Sequence, residues 1–158
     1  MKNLNYGIIG NCRSAALVSD KGAIEWCCLP EFDSASVFAK ILDQEIGGSF
    51  EIQVSDDYTI TQKYIPNTSI LVTTFSNGTD AFQINDFMPR YRKDKGGYMA
   101  PPEIIRYFKK LSGNPSFRIN YDPRLDYASG VTSSFVKENH IVSLTGTIKF
   151  DSLFLYSN

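Results

Sequence analysis

Seven carboxylates, Asp20, Glu25, Glu31, Asp33, Asp86, Asp122 and Asp126, stand in or beside segments that read as turns. Splitting a glycosidic bond takes two such groups facing each other, one protonated and one ionised. Nothing in their spacing pairs any two of them, and a turn or cap role accounts for each. The single histidine, His140, falls at a hairpin edge, and no Gly-x-Ser-x-Gly elbow accompanies it, so a nucleophilic triad is not specified. Cys12, Cys27 and Cys28 contain no Cys-x-x-Cys pair and do not supply four zinc ligands. Adjacent cysteines alternate across a strand, so all three read as reduced thiols that pack as small hydrophobes. Gly7-Ile8-Ile9-Gly10 lacks the third glycine and the following helix of a nucleotide fingerprint. The expectation is therefore no catalytic residue, no metal and no cofactor in this chain.

One segment concentrates charge with aromatic surface. Residues 89–98 contain Arg90, Arg92, Lys93 and Lys95 together with Tyr91 and Tyr98. Aromatic faces stack on sugars as well as on bases. A net charge of -1 over 158 residues argues against nucleic acid. No run approaches the roughly 20 apolar residues that span a bilayer, and residues 1–6 lack a secretory apolar core, so no membrane partner and a cytoplasmic location are expected. Residues 89–101, with Gly96-Gly97 and no apolar period, are expected to be the most mobile internal segment.

The elements that must position these residues are mostly strands. Nine Tyr and eleven Phe against one Trp suit half-buried pleated surfaces. Asp20-Lys21-Gly22 separates two apolar strands, and Asn77-Gly78 is a strong hairpin signal between 69–76 and 80–87. Segments 49–54, 58–64, 116–121, 131–137, 140–144 and 148–156 continue the pattern, with turns at Ser55-Asp56-Asp57 and Glu138-Asn139. Residues 36–42 place Val37, Phe38, Ile41 and Leu42 on one face, which predicts one short helix capped by Asp33 or Ser34. Residues 103–111 fit either period and are read as strand. The sum is one all-β domain over 1–158, an antiparallel β-sandwich.

Two blocks carry a family resemblance. Tyr6-Gly7-Ile8-Ile9-Gly10-Asn11-Cys12-Arg13-Ser14-Ala15-Ala16-Leu17-Val18 is followed by Gly22-Ala23-Ile24-Glu25-Trp26-Cys27-Cys28-Leu29-Pro30-Glu31-Phe32-Asp33-Ser34. Together with Asn85-Asp86-Phe87-Met88-Pro89-Arg90, Ile104-Ile105-Arg106 and Asp122-Pro123-Arg124-Leu125-Asp126-Tyr127, they resemble the N-terminus of glycoside hydrolase family 15 proteins of the prokaryotic glucoamylase, glucodextranase and trehalase type. Asn11 stands where that family has Asp, Ser14 where it has Thr, Glu31 where it has Arg, and Leu125 where it has Phe. These changes put any salt bridge at Asn11 or Glu31 in doubt.

The resemblance implies a domain that is part of a super-β-sandwich, followed by an (α/α)6 barrel that carries both catalytic glutamates and is absent here. It makes that barrel the expected partner, with α-glucan or trehalose as the sugar class. Arg13, Trp26, Asp33, Asp86, Arg90 and Tyr91 become the candidate substrate-binding or domain-interface residues. Trp26 and Phe32 are expected to supply buried area, and Arg13 to be buried against Asp33 or Glu25. The alternatives are an autonomous carbohydrate-binding module with Tyr91, Tyr98, Tyr107 and Tyr127 as its aromatics, and an interaction domain without a sugar role. The last strand, apolar on both faces, is expected to seek a homodimer or another chain through its edge.

Overall fold

The computed structural model describes residues 5–146 and 152–157. Chain reversal begins at β1 (Tyr6–Gly10), β2 (Ala15–Ser19) and β3 (Ile24–Cys28), which pair antiparallel in sequence order. The short β4 (Ser36–Phe38) pairs with β3, as does β5 (Ser49–Gln53). The chain then crosses to a second sheet at 55–57, forming β6 (Thr59–Tyr64), β7 (Leu71–Ser76) and β8 (Ala81–Phe87). A two-stranded ribbon of β9 (Tyr91–Arg92) and β10 (Tyr98–Met99) precedes β11 (Ile105–Ser112), which pairs with β8. Next β12 (Arg118–Asp122) returns to the first sheet beside β5. A third sheet holds β13 (Thr132–Val136), β14 (His140–Thr145) and β15 (Ser152–Tyr156). The all-β antiparallel sandwich is thus shown. The expected start of the last strand, Ile148, lies outside the described residues.

Turn chemistry acts where it was expected. Gly22 has φ 75°, and a Cβ there would come within 3.0 Å of the Phe75 ring, so the hairpin needs glycine for both conformation and space. At Asn77-Gly78 the Asn77 Oδ1 accepts from the Thr79 and Asp80 amides at 3.2 and 2.8 Å.

The strands bury alternate residues between the two larger sheets. Ile9, Ala16, Val18, Ile24, Phe50 and Ile52 from one meet Leu71, Phe75, Phe82 and Ile84 from the other. Phe75 and Phe82 are cross-strand partners whose rings stack at 4.6 Å. Tyr64 of β6 closes the side of the sandwich. Its hydroxyl accepts from Ile8 N at 2.7 Å and donates to Ile8 O at 2.9 Å, occupying the free edge of β1.

Two expectations are corrected. Residues 36–42 form no helix: Ser36–Phe38 is strand β4, and turns close behind it through Ala39 N to Gly47 O at 2.7 Å and Leu42 N to Ala39 O at 2.9 Å. The open edge of β3 takes up this segment, and Ser36, Val37, Phe38 and Ala39 are all buried, which one helical face could not achieve. Phe32 is 61% exposed and adds no core area. The ambiguous 103–111 segment is strand from Ile105, as read apart from its first two residues.

One ion pair joins the layers. Asp86 of β8 and Arg106 of β11 are register partners with side chains 0% and 4% exposed. Arg106 Nε and Nη2 donate to the two Asp86 carboxylate oxygens at 2.8 and 3.1 Å. Nη1 donates to Phe50 O at 3.1 Å, Nη2 also to Gly22 O, and the guanidinium sits 4.7 Å from the Phe50 ring. On the opposite side Tyr6 donates to Glu25, and burial, then that bond and the Glu25 charge, raise the phenol from 10.0 to about 12.

Asp86→Ala, which leaves a buried guanidinium without its carboxylate, is expected to cost about 3–5 kcal/mol, a fall in melting temperature of roughly 6–20 °C. Thermal unfolding followed by circular dichroism checks this, and an unchanged melt would refute it. The Tyr6 pair sets a second expectation. The unfolded chain loses the Tyr6 proton near pH 10 while the fold keeps it to about 12, so this contribution is complete below pH 10 and is lost as pH rises to about 12. Tyr6→Phe is expected to flatten the stability curve in that window.

Candidate functional site

Three connections meet at one end of the sandwich: 11–14 between β1 and β2, 29–35 between β3 and β4, and 88–104 between β8 and β11. Asn11 organises them. It is buried, its Oδ1 accepts from the Arg13 and Ser14 amides at 3.1 Å each, and its Nδ2 donates to Pro101 O at 2.9 Å and Pro89 O at 3.3 Å. One amide therefore folds its own turn and fastens both roots of the β9–β10 segment. The 89–101 segment, expected to be the most mobile internal segment, carries that ribbon between two roots held by Asn11.

Arg13 departs from expectation. Its side chain is 40% exposed, and its partner is Glu31, not Asp33 or Glu25. Nε and Nη2 reach the same Glu31 oxygen at 3.2 and 3.0 Å. The reason is local: Arg13 O accepts from Phe32 N at 3.0 Å, which sets the 29–35 turn beside Arg13 at the surface. Glu31, the residue thought to remove a bridge, makes one, although an exposed pair contributes only about 0–1 kcal/mol. Asp33 is exposed and has no side-chain partner among the described residues.

Arg90 Nη1 lies 2.8 Å from Cys12 Sγ, and its guanidinium covers the Tyr98 ring at 4.4 Å. Tyr91, opposite Met99 in the ribbon, is exposed. Arg13, Asp33, Arg90 and Tyr91 thus share the loop end, whereas Trp26 and Asp86 do not. Asp86 belongs to the interior pair with Arg106.

Trp26 sits on the outer face of the first sheet and is half-buried, not core. Ile8 pairs with Leu17 and Leu17 with Trp26, so three apolar side chains form a row across β1, β2 and β3. Tyr127 extends the row, its ring 6.3 Å from Trp26. Asp126, Tyr127 and Ala128 all have positive φ, 55°, 54° and 57°, a left-handed turn built without glycine. Buried Leu125 roots it, its amide donating to Thr132 Oγ1 at 3.0 Å.

Glu25 accepts from Tyr6, Glu31 from Arg13, Asp86 from Arg106, Asp122 from Arg124 and Asp126 from Ser129. These carboxylates lie on separate elements, each facing its own donor. Among the described residues no group of three His, Cys, Asp or Glu is placed to hold a metal. Two clefts open elsewhere, about 290 Å³ beside Phe82, Phe108 and Phe117 and about 240 Å³ beside Tyr6, Gln62 and Tyr64. Neither touches the loop end. Tyr91, Tyr98, Tyr107 and Tyr127 are all exposed but are spread over the ribbon, β11 and the left-handed turn. Asn11 and Arg106 were not among the candidate site residues, and Glu31 was named only as a turn carboxylate. Signals were present: Asn11 and Glu31 both depart from the resembled pattern, and Arg106 lies in the resembled Ile104-Ile105-Arg106 block.

Comparison with known proteins agrees with the resemblance. The family described as trehalase-like, N-terminal, matches residues 5–157. A trehalase of Thermoplasma volcanium is 39% identical over 125 residues, covering 77% of this chain and 20% of that protein. Trehalase 2 of Sulfolobus acidocaldarius is 33% identical over 124 residues, 78% of this chain and 19% of that protein. A trehalase of Mycolicibacterium smegmatis is 27% identical over 139 residues, 78% of this chain and 20% of that protein. The chain thus spans about one-fifth of these relatives. No solved structure matches significantly.

Asn11→Asp removes the protons that hold the Pro89 and Pro101 carbonyls. It is expected to cost about 1–3 kcal/mol and to speed amide exchange across 89–101. Exchange no faster than wild type would remove the latch. The thiols separate as well: burial pushes Cys27 up to about 12 and raises Cys28, while Cys12 is exposed. Iodoacetamide on the folded protein is expected to label Cys12 alone, read by mass spectrometry.

Proposed function

This chain belongs to the trehalase-like N-terminal domain family, and from that membership we propose that it is the non-catalytic domain of a glycoside hydrolase family 15-type enzyme in carbohydrate metabolism. Its role is to pack against, and support the folding of, an (α/α)6 catalytic barrel that acts on α-glucosidic bonds, trehalose being the substrate its relatives' names suggest. The observation that carries this reading is the Ile8–Leu17–Trp26 row with Tyr127. The outer face of an antiparallel sheet is ordinarily polar, and an apolar row there fits a surface that another layer covers. The loop end, with Arg13, Asp33, Arg90 and Tyr91 exposed or half-exposed, is the part best placed to border a substrate entrance. Three unpaired thiols suit a reducing, cytoplasmic setting.

The purified chain is expected to release no glucose from trehalose, maltose or isomaltose. Release that disappears on Asp33→Ala would overturn the non-catalytic reading, since Asp33 is exposed and its loss leaves the core intact. Coexpression with the remaining part of the Thermoplasma volcanium trehalase tests the packing role. The soluble yield of that part is expected to rise with the wild-type chain and to fall with Trp26→Glu. Equal yields would remove the row from the interface. Calorimetric binding of trehalose by the chain alone would favour a carbohydrate-binding module instead.

A further inference from the structure

The 29–35 connection leaves β3 at the loop end and carries the most exposed phenylalanine among the described residues. Phe32 is 61% exposed, against 37% for Phe117, 48% for Phe154 and 49% for Phe135. A phenyl ring has no polar tip to keep wet, unlike the exposed rings of Tyr91, Tyr98 and Tyr127. The gain from burying it is forgone at this position.

The turn that bears Phe32 is nevertheless held firmly. Glu31 N donates to Ser34 Oγ at 3.1 Å and Ser34 N to Glu31 O at 3.2 Å, so the turn closes on itself. Phe32 N donates to Arg13 O at 3.0 Å, and Arg13 returns Nε and Nη2 to the Glu31 carboxylate. The Arg13 amide is in turn fixed on Asn11 Oδ1 at 3.1 Å. These bonds use the backbone of Phe32 and the side chains around it, and they leave the ring outside. An apolar ring on a pinned turn is preorganised, because little freedom is left to lose when a partner covers it.

Phe32 also lies beside the surface that the packing role covers. Trp26 stands on β3, the strand that leads into this connection. Tyr127 extends the apolar row in that direction: its ring lies 6.3 Å from Trp26, and its hydroxyl donates to the sulfur of Cys28, the last residue of β3. The row thus runs along β3 toward the turn of Phe32, where the half-exposed Arg13–Glu31 pair borders it. Aromatic side chains at the centre with charged groups at the rim is the usual anatomy of a protein interface.

We propose that Phe32 anchors the interface with the catalytic part of the parent enzyme, its ring seated in an apolar pocket of that part and the Arg13–Glu31 pair at the rim. This rests on the packing role proposed above, which also names the occupant. The trehalase relatives extend far beyond the one-fifth of their length that this chain spans, and the surface they would cover continues from Trp26 and Tyr127 to Phe32. A buried aromatic anchor carries a large share of binding energy, whereas an exposed ion pair adds little.

The test pairs the full chain with the remaining part of the Thermoplasma volcanium trehalase by coexpression, and reads affinity from dissociation of the purified complex on dilution. Phe32→Ala is expected to leave the melting temperature and circular dichroism spectrum of the isolated chain unchanged. It is expected to weaken the complex at least about tenfold. Phe32→Leu, which keeps an apolar knob, is expected to lose less. A second readout does not depend on affinity. A benzophenone amino acid placed at position 32 is expected to photo-cross-link to the catalytic part. The same group in place of Tyr107, which faces outward on the other sheet, is expected to cross-link far less. A lower melting temperature for Phe32→Ala would overturn the proposal, since the ring would then serve the domain's own fold. Cross-linking no better at 32 than at 107 would overturn it too. Wild-type affinity of Phe32→Ala beside a complex lost on Trp26→Glu removes the anchor and leaves the packing role standing. Failure of the wild-type chain to form the complex removes both.

Discussion

A guanidinium with almost no access to water can persist only if each of its nitrogens is engaged, and that requirement at Arg106 constrains much of the domain. Its bidentate bond to Asp86 holds β8 and β11 together from within. Its other bonds, to Phe50 O and Gly22 O, reach the opposite sheet. Those two carbonyls flank the place where β3 meets β5, and that contact consists of one register pair, Ile24 with Phe50. Arg106 therefore secures the thinnest seam of the first sheet from the layer above. Replacing such a pair by hydrophobic side chains is often neutral in energy, but here it would also remove the guanidinium bonds to the Phe50 and Gly22 carbonyls of the opposite sheet.

The loop end relies on the same economy with a neutral group. Asn11 presents an acceptor to its own turn and donors to Pro89 and Pro101, a division of labour that a carboxylate cannot perform. The aspartate usual in the resembled family would leave those two carbonyls without their donor. Glu31 changes in the opposite sense, and Arg13 finds its carboxylate there. Two departures that looked like losses thus describe one rewired corner. The Arg90–Tyr98 contact and the ribbon depend on that corner being fixed.

Local chemistry is what the residues alone make legible. Asp20-Lys21-Gly22 and Asn77-Gly78 announce hairpins because turn type is decided within four residues. Alternation in β8 announces a half-buried strand, and every second residue from Phe82 to Asp86 is indeed buried. The 36–42 segment misled because a short apolar run fits both periods, and the deciding factor, the open edge of β3, lies elsewhere in the chain. Arg13 misled for a similar reason, since its exposure follows from a backbone bond to Phe32 that no residue type advertises. Within the candidate site, the resemblance grouped Arg13, Asp33, Arg90 and Tyr91, which the fold brings to one end, with Asp86 and Trp26, which it does not. The separation of Asp86 and Trp26 was not legible, because strand register is non-local.

The left-handed turn at Asp126, Tyr127 and Ala128 has a meaning for how this domain tolerates change. Non-glycine residues in that conformation are strained by about 1–3 kcal/mol each, so retaining them implies that the side chains return something. Tyr127 reaches Trp26, and Asp126 accepts from Ser129 at 2.6 Å. Ala128 offers only a methyl group, held at φ 57°. The turn is therefore an uneven reserve of unused stability: two of its positions are bound to their contacts, and the third is open to glycine, which would relax the backbone without costing the domain a single side-chain partner.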